Sequence, residues 1–163
     1  MRLIAIIIGM KEYLEKMIEM IKNIRKNNEF PYSCFEEFVL KNGKQFKNHQ
    51  DQHIRYGRMK ECYRNAYRFA EAKSLIYVEG YATFSGIGLP VLHAWCADKE
   101  GNVYDPTWKK GDEYYGVPFD MSFVRKTILR TKKFGVIDNW EMGFPLLTGK
   151  AKDFLHKESE RVS

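Results

Sequence analysis

An α+β fold, with helices first and an antiparallel sheet second, is what the apolar pattern of this chain predicts. Apolar residues recur at helical spacing as far as Lys73, short β-rich segments follow, and turn-forming residues separate those segments. With 163 residues the chain can bury one core but is short for two ordinary domains. A single domain over 1–149 is therefore expected, with 150–163 as a charged tail that frays.

Leu14, Met17, Ile18, Ile21 and Ile24 form one apolar stripe, so residues 11–27 read as an amphipathic helix closed by Asn27-Asn28. Ser33-Cys34-Phe35-Glu36 has the form of a capping box, a hydroxyl followed three residues later by a carboxylate, and Gly43 sits where a short helix stops. Cys34 is then a packing residue. From Gln45 to Tyr56 the chain is polar and aperiodic, which reads as a loop of functional use. Met59, Cys62, Tyr63, Ala66, Phe69 and Ala70 mark the inward face of a third helix starting near Gly57.

Beyond Lys73 the candidate strands are 75–84, 90–97, 102–105 and 114–119. Asp98-Lys99-Glu100-Gly101 and Lys109-Lys110-Gly111-Asp112 supply turns, as does Ser85-Gly86-Ile87-Gly88, so an antiparallel meander is expected. A fourth helix from Asp120, carrying Phe123, Val124, Thr127, Ile128 and Leu129, is expected to cover part of the sheet.

Three cysteines, Cys34, Cys62 and Cys96, are an odd number with no dense framework, which argues for free thiols in a reducing compartment. Leu3 to Met10 could pass for a signal-peptide core, but Lys11-Glu12 follow without a small-residue cleavage pattern, so a cytoplasmic protein is expected. No stretch approaches the length of a membrane span, and no membrane partner is expected. The net charge of +6 is dispersed over Lys22, Arg25 and Lys26, over Arg55, Arg58, Lys60 and Arg64, and over Arg125, Lys126, Arg130, Lys132 and Lys133. Solvated helix faces are the favoured reading of these groups, with a nucleic-acid surface as the rival.

The residues that can carry chemistry are Cys62, His93 and Asp105. A thiol near a helix start with cations around it is placed to act as a thiolate nucleophile, although a cysteine on an apolar stripe is equally a small core residue. In Val91-Leu92-His93-Ala94-Trp95-Cys96 the strand period puts His93 and Trp95 on one face and Cys96 on the other, which speaks against a zinc site from His93 and Cys96. Trp95 could shield the imidazole from water. If the next hairpin closes with Ala97 opposite Gly101, Asp105 faces His93 directly and can hold its tautomer, and a slip of one residue would turn it away. Pro106 biases Asp105 toward extended backbone.

Cys62-Tyr63-Arg64-Asn65-Ala66, Val91-Leu92-His93-Ala94-Trp95 and Gly101-Asn102-Val103-Tyr104-Asp105-Pro106-Thr107-Trp108 together resemble the core of the transglutaminase-like branch of papain-like cysteine enzymes. The chain departs from that family in Tyr63, where many members have tryptophan, and in its short interval from Cys62 to His93. The resemblance implies a papain-like core in which Cys62 attacks a carboxamide or ester carbonyl, His93 moves the proton and Asp105 orients His93. The acyl group then passes to water or an amine. The oxyanion hole would use the Cys62 backbone N–H and one upstream donor, with Gln52 and Tyr56 as candidates. Trp95, Tyr77, Glu79 and Tyr81 are candidate cleft residues; the last three alternate on one predicted strand and fit the solvent face of a sheet equally well. No cofactor or metal is expected, and no calcium-binding acidic cluster is present in the pattern. The expected partner is a peptide, protein or small amide; a non-enzymatic basic module that docks on nucleic acid or an acidic protein is the alternative.

Overall fold

The apolar stripe of the first helix and the β-rich second half each find a partner surface. In the computed structural model, which describes residues 9–48, 54–84 and 87–158, the order is α1 (Met10–Ile24), α2 (Phe35–Asn42), β1 (Lys44–Phe46), α3 (Cys62–Lys73), β2 (Ile76–Phe84), β3 (Ile87–Ala97), β4 (Val103–Tyr104), β5 (Gly111–Phe119) and α4 (Met121–Thr131). The chain is α+β, with two helices ahead of an antiparallel five-stranded sheet. The apolar segment before Gly9, and Gln52 in the polar stretch, lie outside the described residues.

Met10, Leu14 and Ile18 of α1 are buried, whereas Ile24 is exposed and the helix stops there, short of the asparagine pair expected to end it. The capping box at α2 is shifted by one residue. Cys34 occupies the cap, and the Ser33 hydroxyl and backbone N–H both donate to Glu37, at 2.6 and 2.7 Å, rather than to Glu36. Burial alone would raise the Glu37 carboxyl, but hydrogen bonds from Lys22, Ser33 and Lys41 hold it well below the usual carboxylate range. Glu37 thereby ties α1 to α2.

The strands run in the order β1-β5-β2-β3-β4. Only β2, β3 and β4 form the expected meander; β5 returns to the far side of β2, and Lys44–Phe46, read from sequence as the start of a loop, pairs with β5. The reason is on the inward face. Gly80 and Gly116 are paired across β2 and β5, and a methyl group on either would lie within 2.7 Å of neighbouring backbone or of the Trp95 ring. Two strands lacking side chains at that point can approach closely, and the Trp95 indole fills the space they leave.

Past β1, Lys47 bridges Asn102 beside the opposite edge strand, with Lys47 N–H donating to Gly101 and Val103 N–H donating to Lys47. The sheet thus curls toward closure. Phe46, Val78, Ala82, Trp95, Ala97, Val103 and Tyr114 pack inside it. The other face carries Tyr77, Tyr81, Ala94, Cys96, Val117 and Phe119 into a larger core under the helices. Val124 and Phe123 of α4 join that core, so the helix expected from Asp120 does cover part of the sheet, capped by the Asp120 carboxylate at Phe123 N–H.

The tail expected to fray is docked through its first part. Phe154 packs on Phe38, Phe119 and Phe123, Asp120 N–H donates to Phe154, and His156 N–H donates to Pro118. The end of β5 beyond its pairing with β1 offers free backbone groups, and one aromatic side chain anchors the strand that takes them. The remainder of the tail, 159–163, lies outside the described residues.

Candidate active site

Cys62 is the first residue of α3. The helix begins later than Gly57 because Arg58 to Glu61 form a turn, closed by Glu61 N–H on Arg58 at 3.3 Å, in which Lys60 has φ of 67°. Met59, expected on the inward face, is instead exposed. The shift brings the thiol to the helix N-terminus, where the first N–H groups have no partner within the helix and the dipole favours an anion. Cys62 is half-buried, while Cys34 and Cys96 are buried. Cys96 donates its thiol to the Ala66 carbonyl at 3.1 Å on the opposite face from His93.

The hairpin between β3 and β4 does not have the expected register. Asp98 to Gly101 form a turn with Gly101 at φ of 82°, which places Ala97 opposite Val103 and Cys96 opposite Tyr104. Gly101 is needed there because a positive φ costs it little. The register is displaced by two residues, so Asp105 falls diagonal to His93 instead of opposite it. An even displacement keeps a residue on the same face, and diagonal neighbours remain within side-chain reach. His93 Nε2 and Asp105 Oδ2 are 2.8 Å apart, with both side chains almost wholly buried.

Asp105 is held on all sides. Its Oδ1 accepts the backbone N–H groups of Thr107 at 2.8 Å and Trp108 at 3.0 Å, and its Oδ2 also accepts the Tyr114 hydroxyl at 2.8 Å. Tyr114 was not singled out from the sequence. Its only signal was its alternation with Gly116 on β5. Thr107 receives Asn65 Nδ2 at 3.0 Å, the same amide donates to Arg58 O at 2.8 Å, and Gly57 N–H donates to Pro106 O at 2.8 Å. A methyl group on Gly57 would sit 2.2 Å from Asn65 Oδ1, so a side chain there would push the Asn65 amide out of its place. Asn65, one turn along the helix from Cys62, therefore fixes the aspartate loop to the helix start.

The imidazole lies under Trp108, parallel at a centroid distance of 3.7 Å and an angle of 10°. Trp95 is further away, at 6.3 Å, so the ring that shields His93 most closely is Trp108. Burial lowers the affinity of His93 for a proton, but the hydrogen bond to Asp105 and the interaction with the Cys62 thiol outweigh it and raise the imidazole to about 9. With Nε2 committed to Asp105, Nδ1 is the nitrogen left to face the sulfur.

No family model matches the chain, nor does any curated protein or solved structure. The chemistry of the site therefore rests on its own geometry.

The residues expected in the cleft are not there. Tyr77, Glu79 and Tyr81 are buried beneath the helices and Trp95 is fully buried inside the curled sheet, so none is placed to touch a substrate. The alternation on β2 was real, but its face is neither cleft nor solvent. Glu79 accepts the Tyr77 hydroxyl at 2.6 Å and the N–H groups of Val136 at 2.7 Å and Ile137 at 3.0 Å, binding the segment after α4 to the sheet. Burial raises its carboxyl to about 7 against the lowering effect of these donors. Tyr56 is half-buried with Lys109 Nζ 5.2 Å above its ring, next to Gly57, whose N–H ties this segment to the Pro106 carbonyl. Among the described residues no group of three or more His, Cys, Asp or Glu side chains is arranged to hold a metal ion, and no helix is long and apolar enough to cross a membrane.

Proposed function

We propose that the protein is a thiol-dependent acyl-transfer enzyme acting on an amide or ester, with Cys62 as nucleophile, His93 as proton carrier and Asp105 as the group that orients His93. The observation that carries this reading is the buried hydrogen bond between His93 Nε2 and Asp105 Oδ2, which leaves the opposite ring nitrogen for a thiol at a helix start.

In this mechanism the sulfur, its proton taken by His93, attacks the carbonyl carbon. A C–S bond forms, the C–N or C–O bond to the leaving group breaks, and the leaving amine or alcohol takes the proton from His93. Water then adds to the thioester, giving a proton to the imidazole; the C–S bond breaks, the acid departs and the thiol is restored. Hydrolysis is favoured over transfer to an amine because the reaction needs only water as acceptor. The Cys62 N–H supplies one donor for the oxyanion, and Tyr56 is the described candidate for the second. The resemblance to transglutaminase-like enzymes agrees with these roles.

A p-nitrophenyl ester tests the reading without knowledge of the natural substrate. The expected result is a burst of nitrophenolate and a mass increase on Cys62 that hydroxylamine removes, absent in Cys62→Ala and strongly slowed in His93→Ala. Acylation that is unchanged by either substitution, or that falls on other residues, would overturn it.

A further inference from the structure

Arg55, Arg58 and Lys60 are exposed on the segment that leads into Cys62, and Lys109 and Lys110 are exposed immediately after Trp108, the ring that covers His93. The two segments are drawn together by the Gly57–Pro106 and Asn65–Thr107 hydrogen bonds and by Lys109 over Tyr56. Among the described residues none of these five cations shares an ion pair with a carboxylate. On the described parts of these two segments the acidic residues are Glu61, which engages Arg64 at 3.5 Å, and Asp112. Met59, 61% exposed, lies between the cations as an apolar contact point.

We propose that this rim selects the acyl donor, and that the donor is an acidic peptide segment with an apolar residue close to the scissile bond. The proposal rests on the acyl-transfer reading of Cys62. Five exposed cations on two joined segments beside Cys62, none of them paired with a carboxylate among the described residues, raise the local concentration of an anionic ligand and speed its arrival. A single-stranded nucleic acid would be attracted by the same charges but binds by stacking bases on open aromatic faces. Here one face of Trp108 is taken by His93 and Tyr56 lies under a lysine, whereas Met59 offers the adaptable apolar contact that suits a peptide side chain. A peptide also brings the carboxamide that the thiol chemistry consumes.

The test follows iodoacetamide labelling of Cys62 in the full chain by mass spectrometry, with oligoglutamate, oligoglutamine or oligothymidylate present. Oligoglutamate is expected to slow labelling about threefold or more at low salt, with the protection gone at about 500 mM salt, where charges are screened beyond about 4 Å. Arg58→Glu combined with Lys110→Glu is expected to remove the protection, and the salt series decides the question if that variant fails to fold. Absence of protection by oligoglutamate, protection that survives high salt, or stronger protection by oligothymidylate would overturn the proposal. A failure of the acyl-transfer reading shows separately, as Cys62 labelling no faster than Cys34 without any competitor.

Discussion

Asp105 meets His93 diagonally across the β3–β4 hairpin, two residues out of direct opposition, yet with 2.8 Å between Oδ2 and Nε2. The pair tolerates the displacement because Asp105 is positioned by its own loop, through the Thr107 and Trp108 N–H groups, rather than by the strand ladder. Asp105→Asn keeps the size of the side chain but loses the charge that favours an imidazolium. Acylation of Cys62 by an activated ester is expected to fall by roughly 10²–10⁴-fold, the scale of a general acid–base contribution. His93, followed by NMR, is expected to titrate well below the value of about 9 expected with Asp105 in place. A variant with unchanged titration would show that Asp105 does not govern the ring.

Tyr114 is a positioning residue that touches the aspartate and not the histidine's second nitrogen. Tyr114→Phe is expected to cost about 1.5–3 kcal/mol in urea unfolding, the range for a hydrogen bond to a charged group. With one donor fewer on Oδ2, the carboxylate holds the His93 proton more tightly, so the imidazole is expected to titrate at or above about 9. A lower value in this variant would contradict the arrangement.

Stability is expected to decline as pH rises from neutral to alkaline. His93 binds a proton more tightly folded than unfolded, so its contribution is complete below about 6.5, the ordinary imidazole value, and is lost as pH climbs through about 9. Glu79 acts in the same direction at lower pH: its raised carboxyl favours the folded state below about 4.3, and that gain disappears as pH rises through about 7. Thermal midpoints measured across this range are expected to flatten above neutrality in His93→Gln and below it in Glu79→Gln. A wild-type midpoint that rises between pH 7 and about 9 would be the opposite of the linkage expected here.

Gly57→Ala tests the coupling of the helix start to the aspartate loop. The added methyl group displaces Asn65 from Thr107, an overpacking change of about 1–3 kcal/mol, and is expected to slow Cys62 acylation beyond what the stability loss explains. Activity equal to wild type at a temperature where both are folded would separate the two loops functionally.

Much of this was legible in the sequence, for identifiable reasons. Helical spacing marked α1, α3 and α4, a capping box and Gly43 marked α2, and the period of two put His93 on the face opposite Cys96. Pro106 marked Asp105 as extended backbone, whereas the Thr107 and Trp108 N–H groups that hold its carboxylate were not legible. Strand order was not legible, because it depends on the close approach of Gly80 and Gly116, residues far apart in the chain. The hairpin register was missed because a positive φ at Gly101 adds residues to the turn that the alternation of the flanking strands does not reveal. The alternation of Tyr77, Glu79 and Tyr81 has the form of a solvent or cleft face, and only the helices packed above it, with backbone donors for Glu79, make it a core. The part of the tail that docks depends on a single phenylalanine in a charged stretch, Phe154, whose partners come from three other elements.

The central claim is that Cys62 is activated by His93, and the rate of thiol alkylation at neutral pH measures it most directly. With iodoacetamide and peptide mass mapping, Cys62 is expected to react at least about tenfold faster than Cys34 or Cys96, and His93→Ala to bring it close to an ordinary exposed thiol. Equal rates at the three cysteines, or a Cys62 rate indifferent to the loss of His93, would contradict the account.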